Sequence, residues 1–389
     1  MTLTTLLAAL AVLLALPLGA AAAPARDQLL AWKGEEQIFG YSHMSKIFST
    51  KLIKRGPDIQ NLPSGTPLMV RYELGSESGS IEDFMARNHV AALLVASHGK
   101  LVIERYGLGQ TAATRWTSFS VAKSLTSTLI GVAIKEGHIG SINDPISRYI
   151  GELKNTAYEP VTIAQLMEMR TGVEWNEDYS DRNSDAWWLA REFASDRGRL
   201  VSYMAKKKRI APPGSVFNYN TGETNLAGIL VSRAVGEPIS QYLSERIWSR
   251  IGTESDAYWV ATGGLEVGGC CISMRPRDYL RFALFFLHEG SIEGKPILPP
   301  NWREQATTAY TQHAFGSVGY GWFWWPRADA SYEAIGIFGQ SVQTDPKAEL
   351  VVVTLSAWPD ADWQEGYARQ EAFFTAVRAA VPASSPEPP

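Results

Sequence analysis

Residues Thr117–Thr126 read TSFSVAKSLT, a serine followed three positions later by a lysine. Apolar Val121, Leu125, Leu129, Val132 and Ala133 then recur at helical spacing until Gly137 supplies a stop signal. The pattern predicts a helix from Ser120 to about Glu136 that carries the serine and the lysine on one face. A second Ser-x-x-Lys occurs at Ser97-His98-Gly99-Lys100, inside VAALLVASHGKLVIERY at residues 90–106. There two apolar, β-branched runs flank the four residues, so this copy reads as the exposed turn of a hairpin.

A serine hydroxyl is a weak nucleophile until a base takes its proton, and lysine can be that base when burial or nearby positive charge lowers its pKa. At a helix start, Ser120 would also sit among free backbone N–H groups that favour a developing oxyanion. Taken alone, the pair reads as a capping serine and an exposed first-turn lysine. A second stretch changes the weighting. Residues 217–226, FNYNTGETNL, follow the turn Pro212-Pro213-Gly214 and lead into an apolar helix. Tyr219 on that loop is placed to carry a proton, its phenol lowered by an adjacent lysine ammonium; its structural alternative is a tyrosine closing a turn against the core.

The chain has 389 residues with 36 basic and 40 acidic side chains, a balance that offers no electrostatic reason to expect nucleic acid. The basic run Lys206-Lys207-Lys208-Arg209 reads as a solvated helix end. Residues 1–23 are apolar, uncharged and end in small residues before Pro24, which reads as a cleaved signal for export to the periplasm or beyond, with no stable membrane insertion afterwards. Cys270 and Cys271 are the only cysteines and are adjacent, which argues against a disulfide framework and for two buried thiols. No metal-ligand motif is present, and no cofactor is implied.

Helical periods cover Ile163–Arg170, Asp185–Ser195, Leu226–Val235 and Arg277–Leu287, making residues 111–285 a helical subdomain. Strand patterns occupy Gly319–Trp325, Tyr332–Gln340 and Ala348–Ser356, and an amphipathic segment spans Trp363–Ala379. Strands early and late with helices between predict an α+β fold: one antiparallel sheet from residues 24–110 and 286–380, flanked by terminal helices, with the all-helical subdomain inserted. The Pro- and Ser-rich end, 381–389, reads as disordered.

SFSVAKS, NDPISRYIGEL, VTIAQLMEMRTGVEW, YNTGETNLAG and GIFGQ, in this order, resemble the penicillin-recognising serine hydrolases. That superfamily includes class C β-lactamases, family VIII carboxylesterases and 6-aminohexanoate-dimer hydrolases, and the similarity runs from about residue 90 to 356. The resemblance implies the β-lactamase/transpeptidase-like fold, with Ser120 as acylated nucleophile, Lys123 as base and Tyr219 as the tyrosine of the second motif. Where much of the family has Tyr-x-Asn, Thr221 stands two after Tyr219, leaving the asparagine's role to Thr221 or Asn220. The third motif falls on Ala334-Ile335-Gly336 and lacks its basic residue, which weighs against β-lactams. Backbone N–H groups of Ser120 and Ile337 would form the oxyanion hole, and Gly336 and Gly339 would let a ligand approach the backbone.

The loop Gly172–Trp188, GVEWNEDYSDRNSDAWW, borders the cleft in the esterase and aminohexanoate branch. Tyr179 and Asp185 could there contact a substrate amine or amide, with Trp175, Trp187 and Trp188 walling an acyl pocket. Surface acids and packed tryptophans are the plainer reading of the same residues. The expectation is a serine hydrolase of esters or small linear amides; β-lactamase, D-amino-acid peptidase and a catalytically silent penicillin-type sensor are the alternatives.

Overall fold

The computed structural model describes residues 23–312 and 318–381. The leader up to residue 22 and the tail beyond 381 lie outside the described residues. Six strands form the main sheet: β1 (Val90–Ser97), β2 (Lys100–Tyr106), β3 (Trp325–Pro326), β4 (Tyr332–Gly336), β5 (Gln340–Asp345) and β6 (Leu350–Ser356). Their spatial order is β3-β4-β5-β6-β1-β2, every pair antiparallel, so the two ends of the chain meet at the β6–β1 pairing.

Both central strands are buried throughout, which is why β1 reads as an unbroken apolar run rather than an alternation. Leu93 and Val95 face one side with Leu350 and Val352, where α6 (Gln364–Ala380) adds Phe373, Phe374 and Val377. Leu94, Ala96, Val351 and Val353 face the larger core on the other side. There lie α1 (Val121–Lys135), α2 (Ile163–Met167), α3 (Asp185–Ser195), α4 (Thr221–Val235) and α5 (Pro276–Leu287).

α1 is buried from Val121 to Ala133, and its polar side chains find backbone partners: Ser124 Oγ donates to Phe323 O at 2.7 Å and Thr126 Oγ1 to Gly268 O at 2.7 Å. This buried helix is the axis on which the site is built.

Four expectations need amendment. The region inserted between the sheet halves also contributes strands, Trp116–Thr117, Ala257–Thr262, Leu265–Glu266 and Ile272–Met274, which join Thr50–Ile53 in a second small sheet. Gly319–Trp325 is not a strand apart from the start of β3. Its backbone donors turn elsewhere, Trp322 N to Ala306 O and Phe323 N to Met167 O, while Trp324 stacks on Phe286 and Trp322 on Tyr310. Tyr332–Gln340 is a strand and a tight turn rather than one strand, with Gln340 opening β5. Cys270 and Cys271 are joined as a vicinal disulfide within the buried core, not two thiols.

Candidate active site

The turn Ser118-Phe119-Ser120 delivers the serine to the start of α1. Phe119 sits at φ +41°, a left-handed conformation that costs a side-chain-bearing residue on the order of 1–2 kcal/mol. Packing holds it there: its ring lies 4.9 Å from Tyr41 and 5.5 Å from Phe338, and its carbonyl accepts from Cys271 N at 3.3 Å. Ser120 occupies the N-cap position, yet its side chain makes no capping bond. Its Oγ instead lies 2.9 Å from Lys123 Nζ.

Lys123 is 1 % exposed, and Nζ has two further acceptors, Thr221 Oγ1 at 3.0 Å and Gly269 O at 2.9 Å. Burial lowers its pKa to about 7, against a smaller upward pull from the charge of Glu177. The amine is therefore poised between its two protonation states near neutrality. Its Nζ stands 5.1 Å from the centre of the Tyr219 ring.

Tyr219 behaves otherwise than the sequence suggests. Its phenol is raised well above the ordinary value, first by burial and then by the charge of Glu177, and a hydrogen bond with Ser120 offsets only part of this. A neighbouring ammonium would have lowered it, but Lys123 is itself depressed by burial. Tyr219 consequently keeps its proton, and it stacks beside Trp325 with ring centres 5.7 Å apart.

Gly336 is the other precise fit. A Cβ there would stand 2.6 Å from Ser118 O and 3.0 Å from Ser120 N, so β4 lies directly against the nucleophile turn. The close approach is thus by the protein's own backbone rather than by a ligand, and Gly339 likewise abuts the Trp358 ring. The approach brings Ile337 to the cavity wall; neither its N–H nor that of Ser120 donates to a carbonyl of the described backbone.

Ser120 opens onto a cavity of about 250 Å³ shared by Tyr219, Trp325, Ile335, Ile337, Tyr367 and three carboxyl residues, Glu177, Asp178 and Asp362. Asp362 is raised to about 6 by burial and by the charges of Glu177 and Asp178. Among the described residues no lysine, arginine or histidine lines it. On the other side of Ser120 a smaller apolar recess of about 40 Å³ includes Leu30, Phe119, Leu189 and Phe193.

Of the proposed substrate contacts, Tyr179 lines the cavity, donating its hydroxyl to Glu177 at 2.7 Å. Asp185, Trp187 and Asn220 do not. Asp185 accepts from Asn176 N at 2.8 Å, from Lys207 Nζ at 2.5 Å and from the Tyr203 hydroxyl, while Trp187 Nε1 donates to Tyr179 O at 2.7 Å. They brace the loop that presents Glu177 and Tyr179. Lys207 is accordingly an internal strut, not part of a solvated run. Asn220 caps α4 by accepting from Glu223 N at 3.0 Å, leaving Thr221 as the neighbour of Lys123. Trp175 bonds Glu177, and Trp188 stacks on Tyr203 at 3.5 Å, so neither walls an acyl pocket.

Glu177 and Asp362 escaped the sequence reading, and Trp325, whose tryptophan-rich stretch reads as sheet packing, lines the cavity. Glu177 is one of five acids in the loop Gly172–Trp188, and only the fold shows that it and Asp178 line the cavity.

The Beta-lactamase family matches residues 79–376. The chain belongs to the beta-lactamase family. As a beta-lactamase-family hydrolase it is 27 % identical to "6-aminohexanoate-dimer hydrolase" of Paenarthrobacter ureafaciens over 338 residues, 82 % of this chain and 85 % of that one. The solved structure "Putative 6-aminohexanoate-dimer hydrolase from Bacillus anthracis" superposes with a TM-score of 0.80 at 26 % identity, covering 91 % of this chain and 96 % of the other. A family VIII carboxylesterase shares the fold at 16 % identity and a TM-score of 0.57, over 76 % and 96 % of the two chains. This family member thus has the β-lactamase/transpeptidase-like fold, which it shares with that carboxylesterase, and a 6-aminohexanoate-dimer hydrolase among its relatives.

Proposed function

We propose that this hydrolase cleaves small linear amides or esters through an acyl-enzyme on Ser120. Lys123 takes the serine proton, and Tyr219, held as a neutral phenol, passes a proton to the leaving amine or alcohol. The N–H groups of Ser120 and Ile337 receive the oxyanion. Water then attacks the acyl carbonyl, its proton returning through the same groups. The observation that carries this reading is the lysine buried beside the serine, with a pKa near 7 and no carboxylate in direct contact among the described residues.

The cavity supports a choice among substrates. Three carboxyl groups, with no cation among the described lining residues, suit a substrate bearing an ammonium group and oppose one bearing a carboxylate next to the scissile bond, as β-lactams do. The aminohexanoate relatives point the same way. The third-motif position, Ala334, adds no basic group. The apolar, uncharged residues 1–23 support export of the mature chain to the periplasm or medium, where a small-molecule substrate would be its partner.

A panel of the linear aminohexanoate dimer, short p-nitrophenyl esters and nitrocefin tests the reading. Turnover of the dimer or the esters with little nitrocefin hydrolysis is expected; efficient nitrocefin hydrolysis alone would overturn it. Asp362→Asn should raise KM for the ammonium-bearing dimer roughly tenfold, about 1.4 kcal/mol, while leaving neutral esters unchanged.

A further inference from the structure

Among the described residues the Glu177 carboxylate collects four donors and no cation. Thr221 N (3.0 Å) and Trp175 Nε1 reach Oε2, while the Thr221 hydroxyl and the Tyr179 hydroxyl (2.7 Å) reach Oε1. An ionised carboxylate is acceptor-only with about four lone-pair sites, so this set fills it. The consequence falls on Thr221. A hydroxyl has one proton, and here it is given to Glu177, so toward Lys123 the Thr221 oxygen can only accept.

Gly269 O is likewise an obligate acceptor. When Lys123 is the neutral amine, its two N–H bonds are thereby committed to Thr221 and Gly269, and its lone pair has only the Ser120 hydroxyl to face. Without Glu177 the Thr221 hydroxyl could rotate and donate to that lone pair, and the base would be occupied.

We propose that Glu177 is a positioning residue that acts through the Thr221 hydroxyl to aim the Lys123 lone pair at Ser120. The inference rests on the serine-hydrolase reading above. Other titratable groups also face this cluster: Tyr219 and buried Glu223 from the α4 side, Tyr320 before β3, Asp178 and Tyr179 from the same loop, and Asp362 before α6. Tyr219 reaches Lys123 through the Ser120 hydroxyl, the nucleophile itself; among the described residues Glu177 reaches it through the Thr221 hydroxyl, the partner whose direction decides where the lone pair points.

The test is a double-mutant cycle of Glu177→Gln and Thr221→Ala, with Thr221→Ser as the conservative variant, on the mature full chain. The rate of Ser120 modification by a fluorophosphonate and the hydrolysis of a p-nitrophenyl ester are both followed against pH. Each of the two variants should lose on the order of 10²-fold in kcat with KM little changed, the pair should lose hardly more than either, and Thr221→Ser should stay within about threefold of wild type. Because the Glu177 charge holds the Lys123 pKa up, Glu177→Gln should move the acid limb of the profile to lower pH. Simple loosening would admit water to Lys123 and move it upward instead.

Multiplying losses, an acid limb shifted upward, or a loss confined to KM would overturn the proposal. An unlabelled wild type would overturn the serine-hydrolase reading and this inference together, whereas a labelled wild type with independent losses overturns this inference alone.

Discussion

Two Ser-x-x-Lys tetrads in one chain differ in everything but their letters. Ser97 and Lys100 are cross-strand partners closing the β1–β2 hairpin, with His98 at φ +48° and Gly99 at φ +70° forming the two left-handed positions that a two-residue turn of the right twist requires. Lys100 points to solvent. Ser120 and Lys123 instead occupy the first turn of a buried helix, where the lysine, itself almost fully buried, meets the serine hydroxyl. A motif of two common residues therefore carries no chemistry by itself; helix geometry sets the distance, and burial sets the proton affinity.

Lys123→Met should show the largest contrast between the two tetrads, lowering kcat/KM for a p-nitrophenyl ester by about 10³- to 10⁴-fold, while Lys100→Met leaves it unchanged. Equal effects would break the comparison. A smaller contrast separates two glycines. Gly336→Val would push β4 off the Ser118–Ser120 backbone, displacing Ile337, the proposed oxyanion donor, and should reduce kcat by about 10²-fold. A Cβ at Gly99 meets nothing, so Gly99→Ala should cost only about 1 kcal/mol through its positive φ, with activity intact. Thermal melts and initial rates on the two variants distinguish these outcomes.

The pH profile sharpens the comparison further. Because burial has lowered Lys123 to about 7, the neutral base is present above that pH and lost below it. The kcat/KM of the free enzyme should accordingly rise as pH increases through about 7 and then level. A profile rising only above pH 9 would mean that the lysine is not depressed.

What could be read from the letters follows the same division. The helix over Asp185–Ser195 has the predicted bounds, and the hairpin at 90–106, the helix of the first tetrad and the closing amphipathic helix lie within a residue or two of their predicted ends, because apolar periodicity and glycine stops are local signals. Gly319–Trp325 misled because aromatic richness looks like a strand even when each ring packs into a different neighbour. The roles of Asp185 and Trp187 turned on direction: both belong to the cleft loop, but α3 aims them behind it. Glu177 and Asp362 lie 185 residues apart in sequence and meet only because α6 returns to the sheet beside the loop. No local pattern could have paired them.

The central claim is that Ser120, and not Ser97, is the activated serine. Intact-mass analysis after exposure to a fluorophosphonate tests it most directly. A single adduct is expected on the wild-type chain and on Ser97→Ala, with none on folded Ser120→Ala. An adduct that survives Ser120→Ala, or none on the folded wild type, would contradict the account.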